Sequence, residues 1–180
     1  AVVTYHPATL ADSDPKECFR VLLEALDEHP GLRVLLTYPN NDAGADGLIT
    51  MIEDYASARP GRVLAVPSLG ALRYLSALQC ASVVVGNSSS GIVEVPSTGT
   101  VTVDVGPRQQ GRLCGPSVLH CAETREDISK AVATALGDEM QAVAARRENP
   151  YYKPDTLGIM TRSIATFLRD MPPHKHFFDI

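Results

Sequence analysis

Short aliphatic runs alternate with stretches whose apolar positions recur every three or four residues. Ala1 to Thr4, Arg33 to Thr37, Arg62 to Val66 and Ser82 to Val85 are strand-length apolar runs. Val101 to Val105 and Ser117 to Cys121 are weaker strand candidates. Between the first two runs, Phe19, Leu22, Leu23 and Leu26 share one helical face. Asp14-Pro15 opens that helix with an acidic cap and a proline at its first position, and Gly31 ends it. Leu48, Ile49, Ile52, Tyr55 and Ala56 mark a second helix, stopped by Pro60-Gly61. Leu72, Leu75 and Leu78 mark a short third, and Ile92 begins another. Arg125 to Leu136, Glu139 to Arg147 and Asp155 to Leu168 close the chain as helices.

Strand and helix alternating at this spacing predict right-handed βαβ crossovers. The expected fold class is α/β: a Rossmann-like parallel sheet with helices on both faces. Residues 1–168 are expected to form one α/β domain, and 169–180 a proline-broken tail in which His174 and His176 are surface residues. The first residue already lies in a strand, with no initiator Met, which predicts a piece excised from a longer chain.

In a parallel sheet the carboxyl ends of all strands lie along one edge, where ligands bind. "TYHP", "TYPNND", "VPSLG", "GNSSSG" and "DVGPRQQGR" therefore converge on one site. In "GNSSSG", Gly86 permits a tight turn and Ser88, Ser89 and Ser90 open a helix. Unpaired N–H groups at a helix start, together with hydroxyl donors, suit an anion. A plain cap needs one serine, so three in a row point to phosphate. Gly91 lets a ligand or a neighbouring segment come close. The stretch does not fit GxxxxGK[ST], which excludes a nucleoside-triphosphatase loop.

Glu94, one turn on, suits two ribose hydroxyls, although a surface acid favoured by the helix dipole explains it equally well. Arg108 and Arg112 lie between Val105 and Ala122, a stretch without acids, and can pair with phosphate or simply be solvated. His6 precedes Pro7, which holds it extended at a strand end as a donor or proton shuttle, or as a structural histidine. Asn40 is a turn residue or a ligand contact.

The chain has 180 residues, enough for one domain with a sizeable core. A net charge of −5 argues against general nucleic-acid binding, which needs a basic face. No run of apolar residues reaches membrane-spanning length. Cys18, Cys80, Cys114 and Cys121 include no CxxC pair, so buried or partly buried free thiols in a reducing cytosol are expected. Cys114 and Cys121 could flank a metal, but no nearby ligands complete such a site.

Taken together, "TYHP", "YPNNDAG", "SLGALRYLSAL", "VGNSSSGIVEVPS" and "VGPRQQGR" resemble the carboxyl-terminal half of the hydrolysing UDP-N-acetylglucosamine 2-epimerases of the sialic-acid pathway. The resemblance runs from the first residue to about His120, and more loosely through the last helices. Non-hydrolysing relatives usually carry an Arg-rich stretch after the histidine and a Ser-Gly-Gly loop. The resemblance implies one half of a GT-B-type two-domain enzyme, the other being an amino-terminal α/β domain. It implies a UDP-sugar substrate, no metal or nicotinamide cofactor, a cytoplasmic location and a homo-oligomer at full length. Ser88 and Ser89 would bind the diphosphate, with Ser90 and Gly91 beside them. Glu94 would take the ribose and Arg108, with Arg112 nearby, would neutralise phosphate. Ser68 and Leu69 would lie near the uracil, and His6 (as the catalytic candidate) and Asn40 would approach from the cleft.

The implied reaction eliminates UDP across C1–C2 and adds water to give N-acetylmannosamine. Its key carboxylates come mainly from the amino-terminal half, so this half alone should bind UDP without turnover. A non-hydrolysing epimerase, a GT-B glycosyltransferase donor domain, a non-catalytic nucleotide-binding module and a 2,4-diacetamido sugar substrate are the alternatives. Thr98, Val101 and Pro107 depart from the family's usual Phe, Pro and Asp; the last bears on how Arg108 is aimed.

Overall fold

A computed structural model describes residues 1–7, 14–42 and 44–170. These fall into two compact units, Ala1–Pro150 and Tyr151–Ile180. In the expected tail, everything beyond Asp170, including His174 and His176, lies outside the described residues.

The first unit is built on six parallel strands: β1 (Val2–Thr4), β2 (Val34–Thr37), β3 (Val63–Val66), β4 (Val83–Gly86), β5 (Val101–Val105) and β6 (Val118–Cys121). Their order across the sheet is β3-β2-β1-β4-β5-β6. The doubly wound parallel sheet is therefore as expected. Its order reverses between β1 and β4, where Val3 faces Leu36 on one side and Val85 on the other. That reversal opens a crevice at the carboxyl edge.

Alternation along the strands divides the core. Val3, Leu36, Val85 and Val103 point to one face and pack with Phe19, Leu22 and Leu26 of α1 (Pro15–Asp27) and Ile128 and Val132 of α6 (Arg125–Ala135). Each such side chain contributes about 2 kcal/mol of burial, and Leu22→Ala would cost about 3 kcal/mol. Val2 and Val84 point to the other face, against Leu78 of α3 (Gly70–Cys80) and Val95 of α5 (Val95–Thr98). Asp14 caps α1 as expected, accepting from the Lys16 N–H at 3.0 Å. α2 (Ala45–Ser57) and α7 (Asp138–Ala145) complete the unit together with α4 (Ser90–Val93).

Three expectations are corrected. Leu72 and Leu75 do not form the buried face of α3. Leu72 is 81% exposed and Leu75 is exposed too, while Tyr74, Ala77 and Leu78 pack inward. Leu78 is the fully buried residue of that face, and Ala77, unremarkable in hydropathy, packs beside it. The helix after the serines is broken at Glu94 into two single turns, because Pro96 has no N–H to continue the ladder. Cys80 is exposed, Cys18 alone is fully buried, and none of the four is in a disulfide.

The second unit carries α8 (Thr156–Asp170), an amphipathic helix whose Leu157, Met160, Ile164 and Phe167 share one face by spacing. No helix among the described residues is long and apolar enough to cross a membrane.

Candidate functional site

The crevice is held together by Gly86 and Asn87. Gly86 has φ +138°, and a Cβ there would meet the Thr4 carbonyl oxygen at 1.9 Å, so only glycine lets β4 end this close to β1. Asn87, 1% exposed, then clamps the segment after β1 with its side-chain amide. Its Oδ1 accepts the His6 N–H at 2.7 Å, and its Nδ2 donates to the His6 carbonyl at 2.8 Å.

Beside this clamp opens a cavity of about 540 Å³. His6, Asn40, Ser68, Leu69, Ser88 and Ser90 line it. Six of the sequence-predicted residues thus meet at one place, from loops after four different strands. Ser89, Gly91, Glu94, Arg108 and Arg112 are not among its walls.

His6 is buried, and its Nδ1 accepts the Asn40 N–H at 3.1 Å. In the neutral ring that leaves the proton on Nε2, free to donate to a ligand. Burial, with the Arg108 guanidinium nearby, holds the His6 pKa below its ordinary value, opposed by Asp42. The neutral donor form is therefore favoured near pH 7.

The anion site differs from the one expected. With α4 only one turn long, little macrodipole accumulates behind the serines. What remains is local. The N–H groups of Ser88, Ser89 and Ser90 have no protein acceptor among the described residues, while the Ser88 and Ser89 carbonyls already accept from Gly91, Ile92 and Val93. These amides and hydroxyls make a donor-rich rim.

Arg108 stands one layer behind that rim. Pro107 opens a 3-10 turn over Pro107–Gln109, a position where its missing N–H costs nothing. The turn directs Arg108 Nη1 onto the Asn87 carbonyl at 2.9 Å. Gln109 Nε2 donates to the same oxygen at 2.7 Å. The Arg108 charge is thereby fixed at the backbone of residue 87, directly before the serines. Arg112 is exposed on the same loop. Glu94 is exposed at the junction of α4 and α5. Gly91 faces the sheet: a Cβ there would lie 2.8 Å from Thr102 Cγ2, so it serves the close approach of β5.

Sequence reasoning missed four residues. Asn87 stood inside the "GNSSSG" motif, but the serines drew the argument. Tyr74 lines the cavity and donates to Ser90 Oγ at 2.8 Å. Gln109 is 2% exposed, a buried amide signalled only by its place in "PRQQGR". Asp104, buried in β5, pairs with His120 Nδ1 at 2.8 Å. Burial raises the Asp104 pKa, although His120 and Arg108 pull it down. An acid in the middle of an apolar strand was the available signal. Among the described residues no group of three or more His, Cys, Asp or Glu could hold a metal ion.

Comparisons with known proteins bear on this arrangement. A family profile described as UDP-N-acetylglucosamine 2-epimerase matches residues 1–165. Polysialic acid biosynthesis protein P7 of Escherichia coli is 28% identical over 181 residues, covering 99% of this chain and 46% of that protein. The GDP/UDP-N,N'-diacetylbacillosamine 2-epimerase (hydrolyzing) of Campylobacter jejuni is 30% identical over 118 residues, 66% of this chain and 31% of that one. The crystal structure of UDP-GlcNAc 2-epimerase from Neisseria meningitidis bound to UDP-GlcNAc matches in fold, with a TM-score of 0.65 at 15% identity, covering 92% of this chain and 43% of that chain. The chain spans less than half the length of these relatives.

Proposed function

The chain belongs to the UDP-N-acetylglucosamine 2-epimerase family, and on that premise we propose that it is the UDP-binding half of a hydrolysing enzyme. The observation that carries this reading is the cavity at the β1–β4 reversal, where His6, Asn40, Ser88 and Ser90 meet. The diphosphate lies against the free amides of Ser88 to Ser90 and their hydroxyls, with Arg108 behind them. The uracil lies toward Ser68 and Leu69, and Glu94 takes the ribose hydroxyls. His6 donates from Nε2 to the sugar or the bridging oxygen.

The chemistry follows from these roles. A base removes the C2 proton of the sugar, the C1–O bond breaks, and its electron pair leaves with UDP. Water then adds across the resulting C1=C2 bond, hydroxide to C1 and a proton to C2, giving N-acetylmannosamine. Donors fixed around the departing diphosphate stabilise the charge that develops on it. The carboxylate base comes from a second α/β domain, so this half binds UDP and does not turn over. The short coverage of the relatives supports that division.

A second reading concerns the sugar. The relative from Campylobacter jejuni supports a 2,4-diacetamido sugar in place of N-acetylglucosamine, with the same diphosphate site.

Calorimetric titration of the 180-residue chain with UDP, CMP and ADP tests the binding. A preference for UDP is expected, and equal or absent binding overturns the reading. The full-length enzyme given either UDP-sugar should release free UDP. Epimerisation without UDP accumulation would make it non-hydrolysing.

A further inference from the structure

The three serines are not equivalent. Ser88 and Ser90 both line the cavity, but Ser90 alone is held by a neighbouring side chain, the phenol of Tyr74 at 2.8 Å. Tyr74 sits in the middle of α3, and its ring packs on the cluster of Val2, Leu78, Val84 and Val95. The ring is anchored in the core and the hydroxyl emerges at the cavity wall, the two-ended use to which tyrosine is suited. α3 and α4 thus meet through one hydroxyl pair at the site.

A serine hydroxyl has one proton to donate and two lone pairs. With a phenol donating to Ser90 Oγ, one lone pair is occupied and the serine's own proton is directed elsewhere. No protein acceptor takes that proton among the described residues. A hydroxyl that accepts from one partner also becomes a better donor to the next. Burial and the Glu94 charge raise the Tyr74 pKa, although the Ser90 bond pulls the other way, so the phenol keeps its proton across the neutral range.

Resting on the diphosphate reading above, we propose that Tyr74 is a positioning residue of that site: by donating to Ser90 Oγ it commits the Ser90 proton to an anionic oxygen of the ligand. It touches the phosphate only through Ser90. Its effect is therefore specific to the charged part of the ligand, which separates it from a purely structural tyrosine.

Tyr74→Phe keeps the ring and removes the hydroxyl. UDP, pyrophosphate and uridine are titrated into wild type, Tyr74→Phe, Ser90→Ala and the double variant, with the melting temperature of each recorded. Tyr74→Phe should weaken UDP and pyrophosphate about five-fold and leave uridine unchanged. The double variant should bind no more weakly than Ser90→Ala, because the second change removes an interaction already lost. Equal losses for UDP and uridine, or losses that add, make Tyr74 merely structural and overturn the proposal. So does a wild type that binds UDP no better than Tyr74→Phe. Should Tyr74→Phe fail to fold, Ser90→Ala decides alone: undiminished pyrophosphate binding overturns the proposal. A wild type indifferent to UDP overturns the diphosphate reading, and this proposal with it.

Discussion

The two edges of the sheet use polar groups in opposite ways. At the amino edge, where α1 and α2 end and β3 begins, Asp27 accepts from Tyr55 Oη at 2.9 Å, Arg59 Nε at 2.9 Å and Arg62 Nη1 at 2.8 Å. Arg62 Nη2 goes on to the Leu26 carbonyl at 2.7 Å, and the Arg59 guanidinium lies 3.9 Å over the Tyr55 ring. Each charge of that cluster is answered by another group of the fold. At the carboxyl edge, the Ser88 to Ser90 amides have no protein acceptor among the described residues, Ser88 and Ser90 line the cavity, and Arg108 and the buried His6 stand behind them. A closed network stabilises the chain. Donors left without partners weaken it slightly and are retained for something that arrives. The contrast marks the carboxyl edge as the candidate site without reference to any relative.

The largest expected effect comes from the residue that joins stability to the site. Asn87→Ala leaves both backbone groups of His6 without their buried partners and should cost about 3 kcal/mol in urea unfolding. It should also abolish the UDP preference. If it left both intact, the clamp would be incidental.

Next, Asp27→Ala should cost about 2 kcal/mol, discounted because the cluster is partly exposed. UDP affinity should stay unchanged, since Asp27 lies at the edge opposite the serines. A loss of binding there would erase the distinction between the edges. Conversely, Ser88→Ala combined with Arg108→Ala should weaken UDP about ten-fold, roughly 1.4 kcal/mol, with the melting temperature nearly constant.

The pH dependence sharpens the same line. The His6 pKa lies below its unfolded value of 6.5, so the native chain binds fewer protons. The stability His6 contributes is full above that value and is lost as pH falls through the folded pKa. His6→Asn should flatten the loss of stability below pH about 6.5 in denaturant midpoints across pH. An unchanged slope would mean that other groups govern it. The smallest effect belongs to Leu72→Ser: at an exposed position it should stay within about 0.5 kcal/mol of wild type.

Much of this was legible beforehand. The β-branched runs at Val34, Val63, Val83 and Val101 announced a buried parallel sheet, and the sheet alone brought His6, Asn40, Ser68 and Ser88 to one edge. What stayed hidden was hidden for physical reasons. Pro96 did signal the broken helix, but the pattern from Ile92 onward reads as continuous until the missing N–H is counted. Leu72 and Leu75 outweigh Ala77 in hydropathy, whereas packing selected the alanine. Asn87 and Tyr74 act through hydrogen bonds between segments far apart in the chain, and no local period encodes those.

The central claim is that the open donors at the reversal between β1 and β4 grip a diphosphate. A crystal of this chain soaked in UDP tests it most directly. The claim predicts phosphate density against Ser88 and Ser90, within reach of His6. Density at the Asp27 edge, with the cavity beside Asn87 left unfilled, would contradict it.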